Sequence, residues 1–249
     1  MTLKERLDKE VEFRNTESEI TESKPDPLLV AKEHRDEYIA LICALFGYGK
    51  ANFIVKFLKS LDFSILERDE YIIRENLQKH YYRFQKSLDI MEFFITIKRL
   101  MEVDSIENIF YNGYRKEHNI LDGLYSVISK IEELNGFDSK GYRFLIGSLP
   151  KREKILGNSP YKRWNMYLRW MVRDDNIDLG LWSKIDKKDL LLPLDTHTFK
   201  VSQKLGLLTR KTYDLKSAVL ITEKLREFDK KDPIKYDFAI YRIGQESII

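Results

Sequence analysis

An all-α fold is what this sequence predicts, and three observations predict it. Apolar residues recur at helical spacing through most of the chain, as in Ile39, Ile42, Cys43 and Phe46, or Ile54, Val55, Phe57 and Leu58. Runs that alternate apolar with polar residues are absent at useful length, so no sheet is expected. Glycine and proline fall at helix-sized intervals, at Gly47, Gly49, Gly136, Pro150, Gly157, Pro160, Pro193 and Pro233, where they end one helix or open the next.

Taken in order, residues 1–27 are polar, charged and poor in aromatics, closing on Lys24-Pro25-Asp26-Pro27. They read as a weak helix or polar arm leading into the first packed element. A helix is predicted from Glu37 and is broken by Gly47-Tyr48-Gly49. A second helix runs from Ala51 to Leu61. Further helices are predicted around 67–79, 89–102, 104–113 and 119–135. The Met91, Phe93, Phe94, Ile95, Ile97 stretch is apolar enough for the middle of a bundle. Residues 140–173 hold two helices joined by a connector containing Pro150, Gly157 and Pro160. Three more follow at about 195–205, 214–228 and after Pro233. The region 28–249 is expected to form two lobes with a cleft, one mainly from about 50–140 and the other from 28–49 with 141–249.

With 43% hydrophobic residues the chain can bury a core, and its net charge of +3 does not by itself announce a nucleic-acid binder. The charge is unevenly placed. Residues 140–249 carry 23 Lys and Arg against 14 Asp and Glu. Within 143–173, Arg143, Lys151, Arg152, Lys154, Lys162, Arg163, Arg169 and Arg173 face the single acid Glu153. Such a stripe can follow a phosphate backbone, and it can equally be a solvated basic surface. No apolar run is long enough for a membrane span, no signal-like stretch opens the chain, and the lone Cys43 has no intrachain partner. A monomeric cytoplasmic protein, associated with the nucleoid if it binds DNA, is the expectation. His34, His80 and His118 lack metal-ligand spacing, so neither a metal nor another cofactor is expected.

Two segments can carry chemistry. In Ser159-Pro160-Tyr161-Lys162-Arg163-Trp164, Ser159 suits an N-cap and Pro160 the first helical position. Trp164, Tyr167, Leu168, Met171 and Val172 then form the buried stripe. Lys162 falls in the first turn, where the helix dipole and Arg163 disfavour its charged form and would leave a neutral, nucleophilic amine fraction. The free N–H groups there can hold a phosphate. The plainer reading makes Lys162 one more surface cation; on a helical wheel it lies near Arg169 and Arg173, opposite the apolar stripe. In Pro193-Leu194-Asp195-Thr196-His197-Thr198-Phe199-Lys200-Val201, Asp195 opens a helix. It suits both an N-cap and a carboxylate that must stay ionised.

The second segment, with Leu205-Gly206 after it, resembles the Pro-Val-Asp-Thr-His-Val-x-Arg-Val signature of the helix-hairpin-helix DNA glycosylase superfamily. In that superfamily the aspartate is essential, and bifunctional members place a lysine at the start of the second hairpin helix. Asp195 and Lys162 stand in the matching places. Tyr48, in the first helix break, is similar in position to the region that supplies a DNA-inserting residue. The hairpin is atypical: no Leu-Pro-Gly-Val-Gly is present, and Leu149-Pro150 to Ser159-Pro160 forms a longer connector. The 33-residue spacing of Lys162 and Asp195 is similar to the archaeal 8-oxoguanine glycosylase branch. The four-cysteine iron–sulfur loop of some relatives is ruled out by a single cysteine. The chain also resembles, over roughly 25–245, a bacterial family without an assigned activity. That likeness rests on Tyr82-Arg83-Phe84-Gln85, Arg169-Trp170-Met171-Val172-Arg173, Pro193-Leu194-Asp195-Thr196-His197 and Asp232-Pro233-x-x-Tyr236-Asp237-Phe238-Ala239.

The glycosylase resemblance implies a two-lobed helical protein that flips a damaged base, with 8-oxoguanine the first candidate, from double-stranded DNA. Lys162 would form a Schiff base with C1′, permitting strand cleavage, and Asp195 would stabilise the oxocarbenium-like charge. Tyr48, Lys151, Arg152, Lys154, Arg163, Arg169, Arg173 and His197 would contact DNA, with His197 orienting the loop. Two alternatives stay open at this point. One is a DNA-binding protein of the same fold without catalysis; the other is a helical interaction module, whose DNA affinity would be negligible and insensitive to salt.

Overall fold

The computed structural model describes residues 1–151 and 155–246. Thirteen α-helices are found among them: α1 Leu3–Arg14, α2 Pro27–His34, α3 Glu37–Leu45, α4 Ala51–Leu58, α5 Glu70–Leu77, α6 Ser87–Met101, α7 Ile106–Tyr114, α8 Ile120–Leu134, α9 Lys140–Ile146, α10 Lys162–Val172, α11 Thr196–Lys204, α12 Leu215–Phe228 and α13 Asp237–Gln245. No strand occurs among the described residues, only the isolated bridges Thr21–Lys24 and Tyr82–Gln85. The all-α expectation is met, and the chain divides into two compact units. One is continuous, Pro25–Pro150; the other joins Met1–Lys24 to Lys151–Ile249. Residues 28–49 therefore fall with 50–140, whereas the sequence reading grouped them with 141–249. No described helix is long and apolar enough to cross a membrane.

In the continuous unit, α6 is the central element. Phe93, Phe94, Ile97 and Leu100 are fully buried on it, and it packs against α5, α8 and α9. One polar node is held inside this packing. Asn135 Nδ2 donates to Glu92 Oε2 and to Thr96 Oγ1, each at 3.0 Å, while Arg74 pairs with Glu92. Full pairing is what makes a buried carboxylate such as Glu92 tolerable. The α7–α8 pair closes by small residues: an added Cβ at Gly113 would come within 2.3 Å of the Asp122 carbonyl, and one at Gly123 within 2.5 Å of the Phe110 ring.

The discontinuous unit differs from expectation at its start. The expected polar arm contains α1, which opens with a reciprocal capping box: Glu5 N–H donates to Thr2 Oγ1 at 3.2 Å and Thr2 N–H to Glu5 Oε2 at 2.8 Å. Leu7 is buried, and α1 packs on α13. Arg14, also buried, donates to Glu246 through Nη1 at 3.0 Å and Nη2 at 2.7 Å, and to Glu10 through Nε at 2.9 Å. Tyr236 donates its hydroxyl to Asp8 at 2.8 Å. α11 packs along α13, where Gly244 permits the approach: a Cβ there would sit 2.6 Å from Val201 Cγ2.

The same unit holds a network of four carboxylates, of which those of Asp178 and Asp237 are buried, and two buried guanidinium groups. Arg169 Nε donates to Asp178 Oδ1 at 3.1 Å, and its Nη1 to Asp237. Arg173 Nε donates to Asp232 Oδ1 at 3.1 Å, its Nη2 lies 2.9 Å from Asp175, and its Nη1 reaches Asp178. Arg169 is 6% exposed and Arg173 9%. The expectation that both contact DNA is corrected: neither guanidinium lies on the surface, because each is consumed by internal carboxylates. Burial works against the charge on Arg173, and the surrounding Asp178, Asp232 and Asp175 more than restore it.

Candidate functional site

α10 begins two residues later than Ser159 and Pro160 imply. Its N-cap is Tyr161, a buried residue held in the left-handed region at φ 46° and ψ 38°, and Lys162 is its first helical residue. That conformation costs a bulky residue about 1–3 kcal/mol and persists only where the surroundings impose it. Here Asn165 Nδ2 donates back to the Pro160 carbonyl at 3.0 Å. Asn158 closes the connector behind it: Lys151 N–H donates to Asn158 Oδ1 at 2.9 Å, and Asn158 Nδ2 donates to the Lys151 carbonyl at 3.1 Å. Tyr161 makes no side-chain cap bond to α10. Lys162 is half-buried, with Nζ 3.3 Å from Met166 Sδ. The stripe behind it, Trp164, Tyr167, Leu168, Met171 and Val172, is buried as expected.

α11 begins as the sequence indicated. Asp195 is its N-cap, half-buried, with Oδ1 accepting the Thr198 N–H at 2.7 Å. The preceding run is pinned in the core: Leu190, Leu192 and Leu194 are buried, and Leu192 N–H donates to Thr222 Oγ1 at 3.0 Å. Tyr213 lies beside Asp195. Its hydroxyl donates to the Leu194 carbonyl at 2.8 Å, and its ring meets Phe199 edge-on at 5.7 Å. Burial, and then the Asp195 charge, push the Tyr213 hydroxyl up to about 12. Asp237 is raised to about 6 by burial; Arg169 opposes the rise, and the charges of Asp195 and Asp178 add to it. The Asp195 carboxylate is thus within electrostatic reach of both.

The starts of α10 and α11 share one brace. Leu215 N–H donates to the Asn158 carbonyl at 3.2 Å, while Tyr213, two residues earlier, holds the Leu194 carbonyl. Segment 213–215 is therefore bonded both to the connector that launches Lys162 and to the segment that launches Asp195. The sequence reading missed Asn158, Tyr213 and Asp237 as supports. Asp237 was legible as part of the Asp232-Pro233 motif, whereas Tyr213 carried no local signal.

The remaining residues of the expected site fall as follows. Arg163 is half-buried beside Lys162, Lys151 is exposed, and His197 is exposed in the first turn of α11. Arg152 and Lys154 lie outside the described residues. Tyr48 belongs to the continuous unit, where its hydroxyl donates to Gln85 and its ring meets Tyr82 edge-on at 5.1 Å. Among the described residues no group of three or more His, Cys, Asp or Glu is arranged to hold a metal ion.

The model of one protein family, described as a protein of unknown function (DUF2400), matches residues 26–246. No curated protein and no solved structure matches the chain.

Proposed function

We propose that the chain, which belongs to the DUF2400 family, is a bifunctional DNA glycosylase and AP lyase of the helix-hairpin-helix type, excising an oxidised base, with 8-oxoguanine the first candidate. The observation that supports the reading is that α10, which opens on Lys162, and α11, which is capped by Asp195, have their starts braced by one segment, 213–215. Rigid support of this kind is what a two-residue chemistry requires, since small misplacements of reacting groups are costly. The strained backbone at Tyr161, immediately before Lys162, is a second support.

In the proposed reaction a damaged nucleotide is turned out of the duplex and presented to Lys162. The deprotonated amine of Lys162 attacks C1′ of the deoxyribose. A C–N bond forms at C1′, the N-glycosidic bond breaks, and its electron pair leaves with the base, which takes up a proton. Opening of the sugar ring gives the protonated Schiff base. Asp195 stabilises the positive charge that builds on the sugar as the base departs. Loss of the C2′ proton then expels the 3′ phosphate by β-elimination, and water releases Lys162.

The test is borohydride trapping on a duplex carrying one 8-oxoguanine, with wild type, Lys162→Gln and Asp195→Asn compared. A covalent adduct present in wild type and lost in Lys162→Gln is expected. Absence of adduct, with no base released from a panel of other oxidised lesions, would refute the catalytic reading and leave a DNA-binding protein without chemistry.

A further inference from the structure

The Tyr82-Arg83-Phe84-Gln85 motif lies in the continuous unit and takes no part in the chemistry assigned to Lys162 and Asp195. Its inner residues are structural. Tyr82 N–H donates to the Gln85 carbonyl at 3.1 Å and Gln85 N–H to the Tyr82 carbonyl at 2.9 Å, closing a tight turn. Both side chains are buried, Gln85 to 1% exposure. Tyr82 donates its hydroxyl to the Tyr48 carbonyl at 2.6 Å, Gln85 Nε2 donates to the Gly141 carbonyl at 3.3 Å, and the Tyr48 hydroxyl donates to Gln85. One turn thus locks the Tyr48 loop and the start of α9 together.

The outer residues are displayed. Arg83 is exposed and held at φ 56°, in the left-handed region that a side chain of its size rarely adopts. Its guanidinium carbon lies 5.7 Å from the Tyr48 ring centroid. Gly49, at φ 110°, makes room for it, since a Cβ there would come within 2.7 Å of Arg83 Nη1. Phe84 is 51% exposed and Phe144 39%. These two rings meet edge-on at 4.8 Å, and Tyr48 lies 4.8 Å from Phe144 and 5.8 Å from Phe84. Three aromatic rings therefore form one cluster on a locked support, with large apolar rings left open to solvent. Phe144 stands on α9 beside Arg143, which pairs with Asp138; the other two segments that present the cluster, 47–50 and 80–86, contain Lys50, Arg83 and Lys86 and no acidic residue. All three cations are exposed.

Exposed rings rimmed by cations, on a support too bonded to collapse over them, match the needs of an unpaired nucleic-acid strand: its bases stack on aromatic faces while its phosphates meet the positive rim. We propose that Phe84, Phe144 and Tyr48, with Arg83, Lys50 and Lys86, form a stacking platform for unpaired bases of single-stranded DNA. The charge decides the occupant. A partner protein's apolar face would leave three cations without counter-charge, whereas a strand supplies one phosphate per base. The platform goes beyond the base-excision reading, because it lies in the other unit and needs neither Lys162 nor Asp195.

The experiment is fluorescence anisotropy of labelled oligothymidylate with the full chain, across roughly 50 to 200 mM salt. Phe84→Ala and Phe84→Leu are expected to weaken binding by about tenfold or more, and Phe84→Tyr to retain it, since stacking needs a ring face. Arg83→Gln is expected to lower the salt slope by about one. The oligothymidylate carries no oxidised base and its binding is read without any covalent step, so failure of Schiff-base trapping leaves this result standing. The proposal is overturned if wild type does not bind the strand at low salt, or if Phe84→Ala binds as tightly as wild type. Attachment to phosphatidylglycerol vesicles without binding to the strand would overturn it equally.

Discussion

Arg173 donates through Nε to Asp232 at 3.1 Å, joining the end of α10 to the segment before α13 across 59 positions of sequence. Together with Arg169, Asp178 and Asp237 it converts two separate sequence motifs into one internal ion network. Removing one member strands a buried charge. Arg169→Ala and Arg173→Ala are each expected to destabilise the protein by about 3–5 kcal/mol, measured by urea unfolding. Measured on the folded fraction, neither change should reduce the salt slope of DNA binding. A drop of about one in that slope would return these arginines to the phosphate-contact role.

The raised Asp237 gives a pH signature. Its proton is held more tightly folded than unfolded, so the folded state binds more protons between about 4 and 6, and this group's contribution to stability falls as pH rises through that window. Asp237→Asn removes the titration. The stability of wild type relative to the variant should therefore increase as pH is lowered from 6 to 4. Paired urea melts at several pH values check this, and a difference that moves the other way would contradict the assignment.

Asp195 has two roles that substitution can separate. Asparagine caps a helix about as well as aspartate, so Asp195→Asn should leave stability within about 0.5 kcal/mol while abolishing base release. Asp195→Ala should lose activity and also about 1 kcal/mol of stability. Equal stability losses in the two variants would show that the carboxylate, and not the cap, holds α11 in place.

Cys43 lies wholly buried in α3, and burial pushes its thiol far above the ordinary range. It is expected to react with a thiol-specific disulfide reagent only as fast as the protein opens, so its rate should follow the denaturant dependence of unfolding. Rapid reaction at neutral pH in native buffer would show that this helix is accessible.

Most helices could be read from the chain because their signals are local. α4, α8, α11 and α12 each bury one face, α3 and α6 are apolar and buried nearly all round, and each of the six ends near a glycine, asparagine or aspartate. α1 was read only as a weak helix or arm, since its apolar content is low, although Thr2 and Glu5 spell a capping box. Its stabilising partners, Tyr236 and Glu246, lie at the far end of the sequence. Arg169 and Arg173 were misplaced for a related reason. Four residues apart and opposite the apolar stripe, they look like a solvent face, and nothing local reveals that Asp178, Asp232 and Asp237 fold over them. Lys162 and Asp195 were legible as residues; the brace through Tyr213 and Asn158 that relates them is a tertiary fact.

The division of the chain also bears on how it is made. Residues 25–150 form a unit from uninterrupted sequence, while α1 belongs with α10 to α13, and synthesis proceeds from the N-terminus. α1 thus leaves the ribosome well before it can be covered, since its packing partner α13 is made only after α2 to α12. For that interval Leu7 has no core to enter and Arg14 no Glu246 to bind, so α1 must wait as a marginal helix held chiefly by its own capping box. The polar composition that disguises it in the sequence is what keeps it soluble during that wait.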